Sequence, residues 1–298
     1  MDEILKLDNV AQYNSLKEVE TLHPLVSVID FSKTKPAQNV RMLFGFYCVF
    51  LKDIKCGDLR YGCNNYDYQE GTLVFIAPGQ IIGVSNNGEY VQPQGWALLF
   101  HPDLIRGTSL GRHIKDYSFF SYEVTEALHL SDKERIVATD CFNKIQFELE
   151  HAIDKHSKSL IVSNIELFLN YCMRFYDRQF ITRSHVNRDI LVRFEKVLDA
   201  YFSSQKLQDI GLPSVRYCAE QLHLSPNYLG DLIKKETGKT AQEHIQLRMT
   251  DVAKQRIFDS DKSISEIAYE LGFKYPQHFS RMFKKSTGLT PNEYRLQN

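Results

Sequence analysis

Gln277, His278, Ser280, Arg281 and Lys284 fall on one side of a stretch whose other side carries Phe279, Met282 and Phe283. The three apolar residues are spaced i, i+3, i+4, which predicts a short helix with one buried and one polar face. The polar face has the chemistry of contact with nucleic acid. A guanidinium at Arg281 can donate to guanine O6 and N7 together, and the amide of Gln277 can pair with adenine or reach a phosphate. Ammonium groups at Lys274, Lys284 and Lys285 suit phosphates, which fix position without specifying sequence. Upstream, Ile267, Ala268 and Leu271 form a second helical stripe, and Gly272 breaks it with a turn. Two short helices joined by a glycine-containing turn predict a helix-turn-helix whose second helix enters the major groove.

The pattern occurs twice. Ala219 and Leu222 recur 49 positions later as Ala268 and Leu271. After a slip of one residue, Lys234-Lys235-Glu236-Thr237-Gly238 recurs as Lys284-Lys285-Ser286-Thr287-Gly288, and Glu243 recurs as Glu293. Self-similarity at a fixed offset is a stronger signal than either copy alone.

The paired motif resembles the DNA-binding domain of AraC/XylS-type transcription regulators. The resemblance rests on Gly272-Phe273, on Phe279-Ser280-Arg281-Met282-Phe283-Lys284-Lys285 and on Gly288-Leu289-Thr290-Pro291-Asn292-Glu293-Tyr294-Arg295, and it covers roughly residues 190–298. It implies double-stranded DNA as a partner, a small-molecule effector, a homodimer, an activator's contact with RNA polymerase and a cytoplasmic location. The first copy departs from the family pattern. Asp231 stands where the family often places arginine, and Gly230 where it places a larger polar residue. Leu229, Leu232 and Ile233 are expected inward, leaving Asn227, Tyr228, Gly230, Asp231 and Lys234 outward. Asp231 would repel phosphates but can accept from cytosine N4. Ser225 and Pro226 mark a helix start, with Ser225 also placed to bond a phosphate.

The elements that must hold these faces follow from the chain in order. An α+β protein is expected: a sandwich or barrel over 1–130, which the resemblance and the Gly71–Gly79 segment with Pro78 make a cupin-like barrel, a helical hairpin over 131–178, a linker over 179–188 and a DNA-binding domain over 189–298. The two helix-turn-helix units are expected at about 214–237 and 263–287. Short β-like runs between turn residues fill Leu25 to Leu128, among them Val26–Ile29, Arg41–Lys52, Thr72–Ala77, Ile81–Ser85 and Trp96–Phe100. Residues 1–25 carry no clear signal. Ser131 with Glu134 reads as a capping box opening the hairpin, which is a candidate dimerisation surface or a cover for the barrel. A helix from Ala241 to about Phe258 separates the two units, and its span of roughly 27 Å approaches the ~34 Å between successive major-groove faces.

Composition narrows the alternatives. At 43% hydrophobic and 24% charged residues, the chain suits a globular protein of two domains. Net charge is −1, with 17 basic against 14 acidic residues from Arg188 onward, a mild bias that carries little weight alone. The six cysteines show no Cys-x-x-Cys pair and read as reduced, buried thiols. Met1-Asp2-Glu3 has the wrong charge for a signal peptide, and the longest apolar run, Met42–Leu51, is too short to span a bilayer. No cofactor and no metal is expected. His23, His101, His113 and His129 are isolated, so a metal-dependent cupin enzyme lacks its His-x-His pair. Phe46, Tyr47, Phe75 and Trp96 are the candidates to line an effector pocket, against the alternatives that they are ordinary core and that the N-terminal domain only dimerises.

Overall fold

The computed structural model describes residues 4–35, 41–52, 58–61, 64–66, 71–85, 93–123, 126–152, 154–182, 184–259 and 261–297. The chain divides into two compact units, Met1–Thr182 and Arg183–Asn298, the first mixed α and β, the second helical.

The first unit runs β1 (Ile4–Leu7), α1 (Val10–Leu16), β2 (Val26–Asp30), β3 (Arg41–Phe44), β4 (Tyr47–Lys52), β5 (Asp58–Tyr61), β6 (Asn64–Tyr66), β7 (Thr72–Ile76), β8 (Ile81–Ser85), β9 (Gly95–Phe100), α2 (Pro102–Ile105), α3 (Ser109–His113) and β10 (Leu128–His129). Two long helices follow, α4 (Asp132–Glu150) and α5 (Ser157–Thr182). The strands form two five-stranded sheets, ordered β1-β3-β8-β5-β6 and β10-β7-β4-β9-β2. No hydrogen-bonded ladder joins the two among the described residues, so the expected single barrel is not closed there. The sheets instead share a core. Leu7, Met42, Phe44 and Ile82 of the first meet Ile29, Cys48, Val74, Ile76, Ala97 and Leu99 of the second, with Val10 and Tyr13 of α1 beside them.

Arg41–Lys52, expected as one run, is two strands in different sheets. The chain crosses at Gly45, whose N–H donates to the Leu7 carbonyl at 2.8 Å. A Cβ there would stand 3.1 Å from the Asp8 Cα and carbonyl oxygen, so the crossing uses glycine for close backbone approach. Residues 1–25 hold β1, paired in parallel with β3, and α1, whose capping box joins Asn9 and Gln12.

Helix α4 starts on the expected box, with Ser131 and Glu134 each accepting from the other's backbone N–H. Helix α5 extends past the expected hairpin end at 178, and α6 (Ser184–Phe202) opens soon after it. The segment expected as a linker, 179–188, is therefore helical in its described residues. Its polar residues are structural. Gln179 is 2% exposed; its Oε1 accepts from the His129 N–H at 2.8 Å and its Nε2 donates to the Ala127 carbonyl at 3.2 Å. The free edge of the two-residue strand β10 is thereby satisfied by a side chain. Arg178 grips Glu134 with two bonds, at 3.0 and 2.6 Å, and donates to the His129 carbonyl at 2.7 Å.

Burial works to raise the Glu134 pKa, but the Ser131 N–H, the Arg178 guanidinium and the Ser131 hydroxyl together hold the carboxyl below its ordinary value. A depressed folded pKa adds stability that is present above the unfolded value and lost as pH falls through the folded one. Glu134→Gln is expected to lower stability at pH 7 by about 1.5 kcal/mol or more. The gap to the parent should narrow below about pH 4, followed by thermal unfolding from pH 7 to 3. A gap independent of pH would remove the ion pair as its cause.

Candidate nucleic-acid interface

After α6 the second unit continues with α7 (Lys206–Ile210), α8 (Val215–Leu222), α9 (Pro226–Thr237), α10 (Ala241–Ile257), α11 (Ile264–Glu270), α12 (Pro276–Thr287) and α13 (Pro291–Gln297). Helix α10 touches α6, α9, α11 and α12, and its buried Ile245, Met249, Ala253 and Ile257 serve both halves.

The two halves share many of their bonds, although Ser225 caps α9 with its side chain and Tyr275 makes no such bond at α12. In the first, the turn residue His223 is left-handed at φ 57°, with Leu224 N–H donating to the Ala219 carbonyl at 3.0 Å. In the second, Gly272 is left-handed at φ 78°, with Phe273 N–H donating to the Ala268 carbonyl at 3.0 Å. Both second helices carry proline at their start and end on a left-handed glycine, Gly238 and Gly288. Thr237 and Thr287 donate to the carbonyls of Ile233 and Phe283 at 2.7 and 2.8 Å. Glu243 and Glu293 each accept from a threonine N–H at 2.7 Å. The one-residue slip lies in the turn. One residue separates His223 from the N-cap Ser225, whereas Phe273 and Lys274 separate Gly272 from the N-cap Tyr275.

Left-handed backbone alone does not explain why one turn uses histidine and the other glycine. Around Gly272, a Cβ would overlap the Leu207 carbonyl oxygen and lie 2.9 Å from the Gly211 Cα. The second turn therefore rests backbone on backbone against α7 and the residue after it. Gly211 is held in turn by the Tyr201 hydroxyl, which donates to its carbonyl at 2.8 Å. Neither α7 nor this contact was expected from residue spacing.

Asn227 and Lys234 on α9, Lys274 before α12, and Gln277, His278, Arg281, Lys284 and Lys285 on α12 are exposed. Phe279 and Phe283 are fully buried, while Met282 is half-buried, with its sulfur 3.7 Å from the Thr250 hydroxyl. Arg248, Arg256 and Arg295 are tied into the unit: Arg248 to Asp199, Arg256 to Glu270, and Arg295 to the Ile257, Asp259 and Lys262 carbonyls. Arg281, Lys284 and Lys285 make no ion pair among the described residues. Three expected residues sit differently. Tyr228 is buried at 6% exposure, because it widens the inward stripe of Leu229, Leu232 and Ile233. Ser225 is buried at 3% exposure, and its hydroxyl caps α9 by accepting from Tyr228 N–H at 3.2 Å. Ser280 is half-buried and donates to the Pro276 carbonyl at 3.2 Å within its own helix. Asp231 is half-buried.

The pocket candidates of the first unit do not converge. Phe46 is buried in the core between the sheets. Tyr47, Phe75 and Trp96 belong to the other face of the second sheet, as strand alternation dictates from their pairing with Phe100, Val49 and Leu51. There Tyr47 stacks on Phe100 at 4.9 Å, and Phe75 packs on Phe119 at 4.3 Å and on Tyr176 of α5 at 6.2 Å. Among the described residues no three His, Cys, Asp or Glu side chains are grouped to hold a metal ion, and no helix is long and apolar enough to cross a membrane.

Residues 218–297 match the profile of a helix-turn-helix domain family. Over 92 residues the chain is 42% identical to the transcriptional regulatory protein YesN of Bacillus subtilis, spanning 29% of this chain and 25% of that one. Over 79 residues it is 39% identical to the HTH-type transcriptional regulator YtdP of the same organism, spanning 26% of this chain and only 10% of that one. It is 24% identical over 231 residues to the HTH-type regulator YijO of Escherichia coli, spanning 76% of each. A solved transcriptional regulator with an AraC-type DNA-binding domain, from Chromobacterium violaceum, aligns at 23% identity and a TM-score of 0.33 over 37% of this chain and 92% of that one.

Gly238 and Gly288 share the left-handed backbone of Gly272, but a Cβ at either would meet nothing within 4 Å. Alanine at either is expected to cost about 1–2 kcal/mol, the strain of the backbone alone. Gly272→Ala should cost at least twice as much, roughly 3 kcal/mol or more, because a backbone carbonyl must also move. Chemical denaturation of the three variants checks this, and equal losses would remove the contact as a constraint.

Proposed function

The chain carries an AraC-type helix-turn-helix domain in its C-terminal residues, and on that premise we propose that the whole protein is a sequence-specific DNA-binding transcription regulator. The observation that carries the proposal is the duplication. One chain builds the same pair of helices twice on either side of α10, whose 17 residues span about 26 Å at ~1.5 Å each. That length suits two helices set in neighbouring turns of the major groove, about 34 Å apart, with some bending of the DNA.

The two helices then have unequal tasks. Helix α12 contains no acidic residue and presents Gln277, His278, Arg281, Lys284 and Lys285. Arg281 and Gln277 read base edges, while Lys274, Lys284 and Lys285 meet phosphates. Helix α9 balances Lys234 and Lys235 against Asp231 and Glu236, and serves mainly to position the domain, with Asn227 as its base contact. The first unit acts as the sensor for a small-molecule effector. The hairpin of α4 and α5 pairs two chains, for which its exposed Ile136, Phe147 and Met173 supply apolar surface.

Arg281→Ala is expected to weaken binding to a selected site by about 1–3 kcal/mol and to relax preference at one base pair. Lys284→Ala should weaken all sequences alike and reduce the slope of log affinity on log salt by about 1. Selection of bound DNA sequences, with anisotropy titrations across salt concentrations, measures both. A uniform loss for Arg281→Ala would move that residue to the phosphates.

A further inference from the structure

Tyr275 breaks a rule that most helices of the second unit keep. Helices α8, α9, α10, α11 and α13 each begin after a serine or threonine: Ser214, Ser225, Thr240, Ser263 and Thr290. In each case the hydroxyl accepts the backbone N–H of the residue three further on, at 3.1–3.3 Å. Such a cap satisfies one of the donors that a helix leaves bare at its start, and its loss is destabilising. Helix α12 begins after Tyr275, which makes no such bond. The exchange coincides with the one extra residue in the second turn. Both departures from the first copy therefore fall where the exposed helix starts.

The ring is not stored in the core. Tyr275 is 47% exposed, whereas Ser225 at the matching place is 3% exposed. Its neighbours belong to the face proposed above for DNA. The His278 ring lies 5.5 Å from it at 69°, and the Lys274 ammonium stands 5.6 Å from its centre. Tyr275, His278 and Arg281 are spaced i, i+3, i+6, with Lys285 four residues further on, so they follow one strip of α12. All four are exposed. The strip is aromatic at its start and cationic toward its end.

The first residues of a recognition helix are the ones that reach base edges. Among the groups presented in the major groove, the thymine methyl is the apolar one, and an aromatic side chain can lie against it. A hydroxyl aimed at a phosphate would not need a ring. Serine at this place would supply one and cap the helix as well.

We propose that Tyr275 is a specificity-determining residue whose ring packs on the methyl group of a thymine in the major groove. The proposal rests on the DNA-binding reading above and adds a base contact to those of Arg281 and Gln277. Tyr275 and Arg281 stand ~9 Å apart along α12 at ~1.5 Å per residue, so they address different base pairs.

The test uses the full chain and a DNA site obtained by selection, with each thymine in turn replaced by uracil. That replacement removes the methyl and leaves the base pairing intact. At one position the parent is expected to lose about fourfold in affinity, the contribution of one buried carbon group. That position differs from the one relaxed by Arg281→Ala. Tyr275→Ser should bind the thymine site about fivefold or more weaker, and should bind its thymine and uracil forms alike. Tyr275→Phe should keep most of the affinity and the sensitivity to uracil. Without DNA, Tyr275→Ser should melt at or above the parent, since a capping hydroxyl replaces a half-exposed ring. Four outcomes overturn the proposal. The parent is indifferent to every uracil, or Tyr275→Ser keeps the sensitivity. Tyr275→Phe loses as much as Tyr275→Ser, which marks a hydroxyl bond to phosphate, or Tyr275→Ser melts well below the parent, which makes the ring structural. In all four the regulator stands as long as the parent selects a DNA sequence. If no form of the protein prefers any sequence, the regulator and the thymine contact fall together.

Discussion

A turn made of main chain, resting on main chain, governs the second unit. Gly272 meets the Leu207 carbonyl and Gly211 at a distance no side chain could share. Helices as short as α11 and α12, of 7 and 12 residues, bury too little on their own to fix their direction. Their orientation comes from what they lean on. Side chains can repack around a change, but a carbonyl against a Cα has no alternative rotamer. The opposite end of α11 is held as firmly, where the Arg295 guanidinium gathers the Ile257, Asp259 and Lys262 carbonyls, and Lys262 reaches along the helix to Glu270 at 2.7 Å. Helix α12 inherits its direction from that doubly fixed neighbour.

Much of this unit was legible in the sequence, and for a physical reason. Caps, turns and inward stripes are local, so Ser263 with Glu266, Thr290 with Glu293, and Phe279 with Phe283 announce themselves within four residues. The offset of about fifty positions then multiplied a weak signal. What did not show was anything made across distance. Gly211 reads as an ordinary loop glycine until Gly272 is placed against it. Tyr228 reads as outward from helical spacing alone, and only the packing draws it in. Arg178 and Gln179 look like linker residues because they are polar, yet they are polar in order to satisfy the edge of β10 and the start of α4.

The first unit was less legible because strands report their faces only in pairs. The aromatic candidates were grouped by type, whereas alternation divides them: Phe46 lies between the sheets, and Tyr47 and Phe75 lie beneath the helical layer. The break at Gly45 was hidden inside an unbroken apolar run.

The duplicated halves also show how a repeat can be kept as a scaffold while its chemistry diverges. The bonds that close the second helices are shared between the copies, down to the threonine that donates to its own helix and the glutamate that accepts at the next cap. The exposed faces are kept only in part, for Lys234 and Lys235 recur as Lys284 and Lys285 but their neighbours change. Helix α9 carries Gly230 and Asp231 where α12 carries Ser280 and Arg281, so two cations on α9 are offset by two acids while three on α12 are not. Affinity for a polyanion scales with uncompensated cations, so on the proposed reading α12 would carry more of the phosphate contact than α9. A neutral helix can still be held in register because its orientation is set by α10 and by the caps at its two ends, neither of which depends on the residues it presents. Constraint in the scaffold is what leaves the surface free to differ.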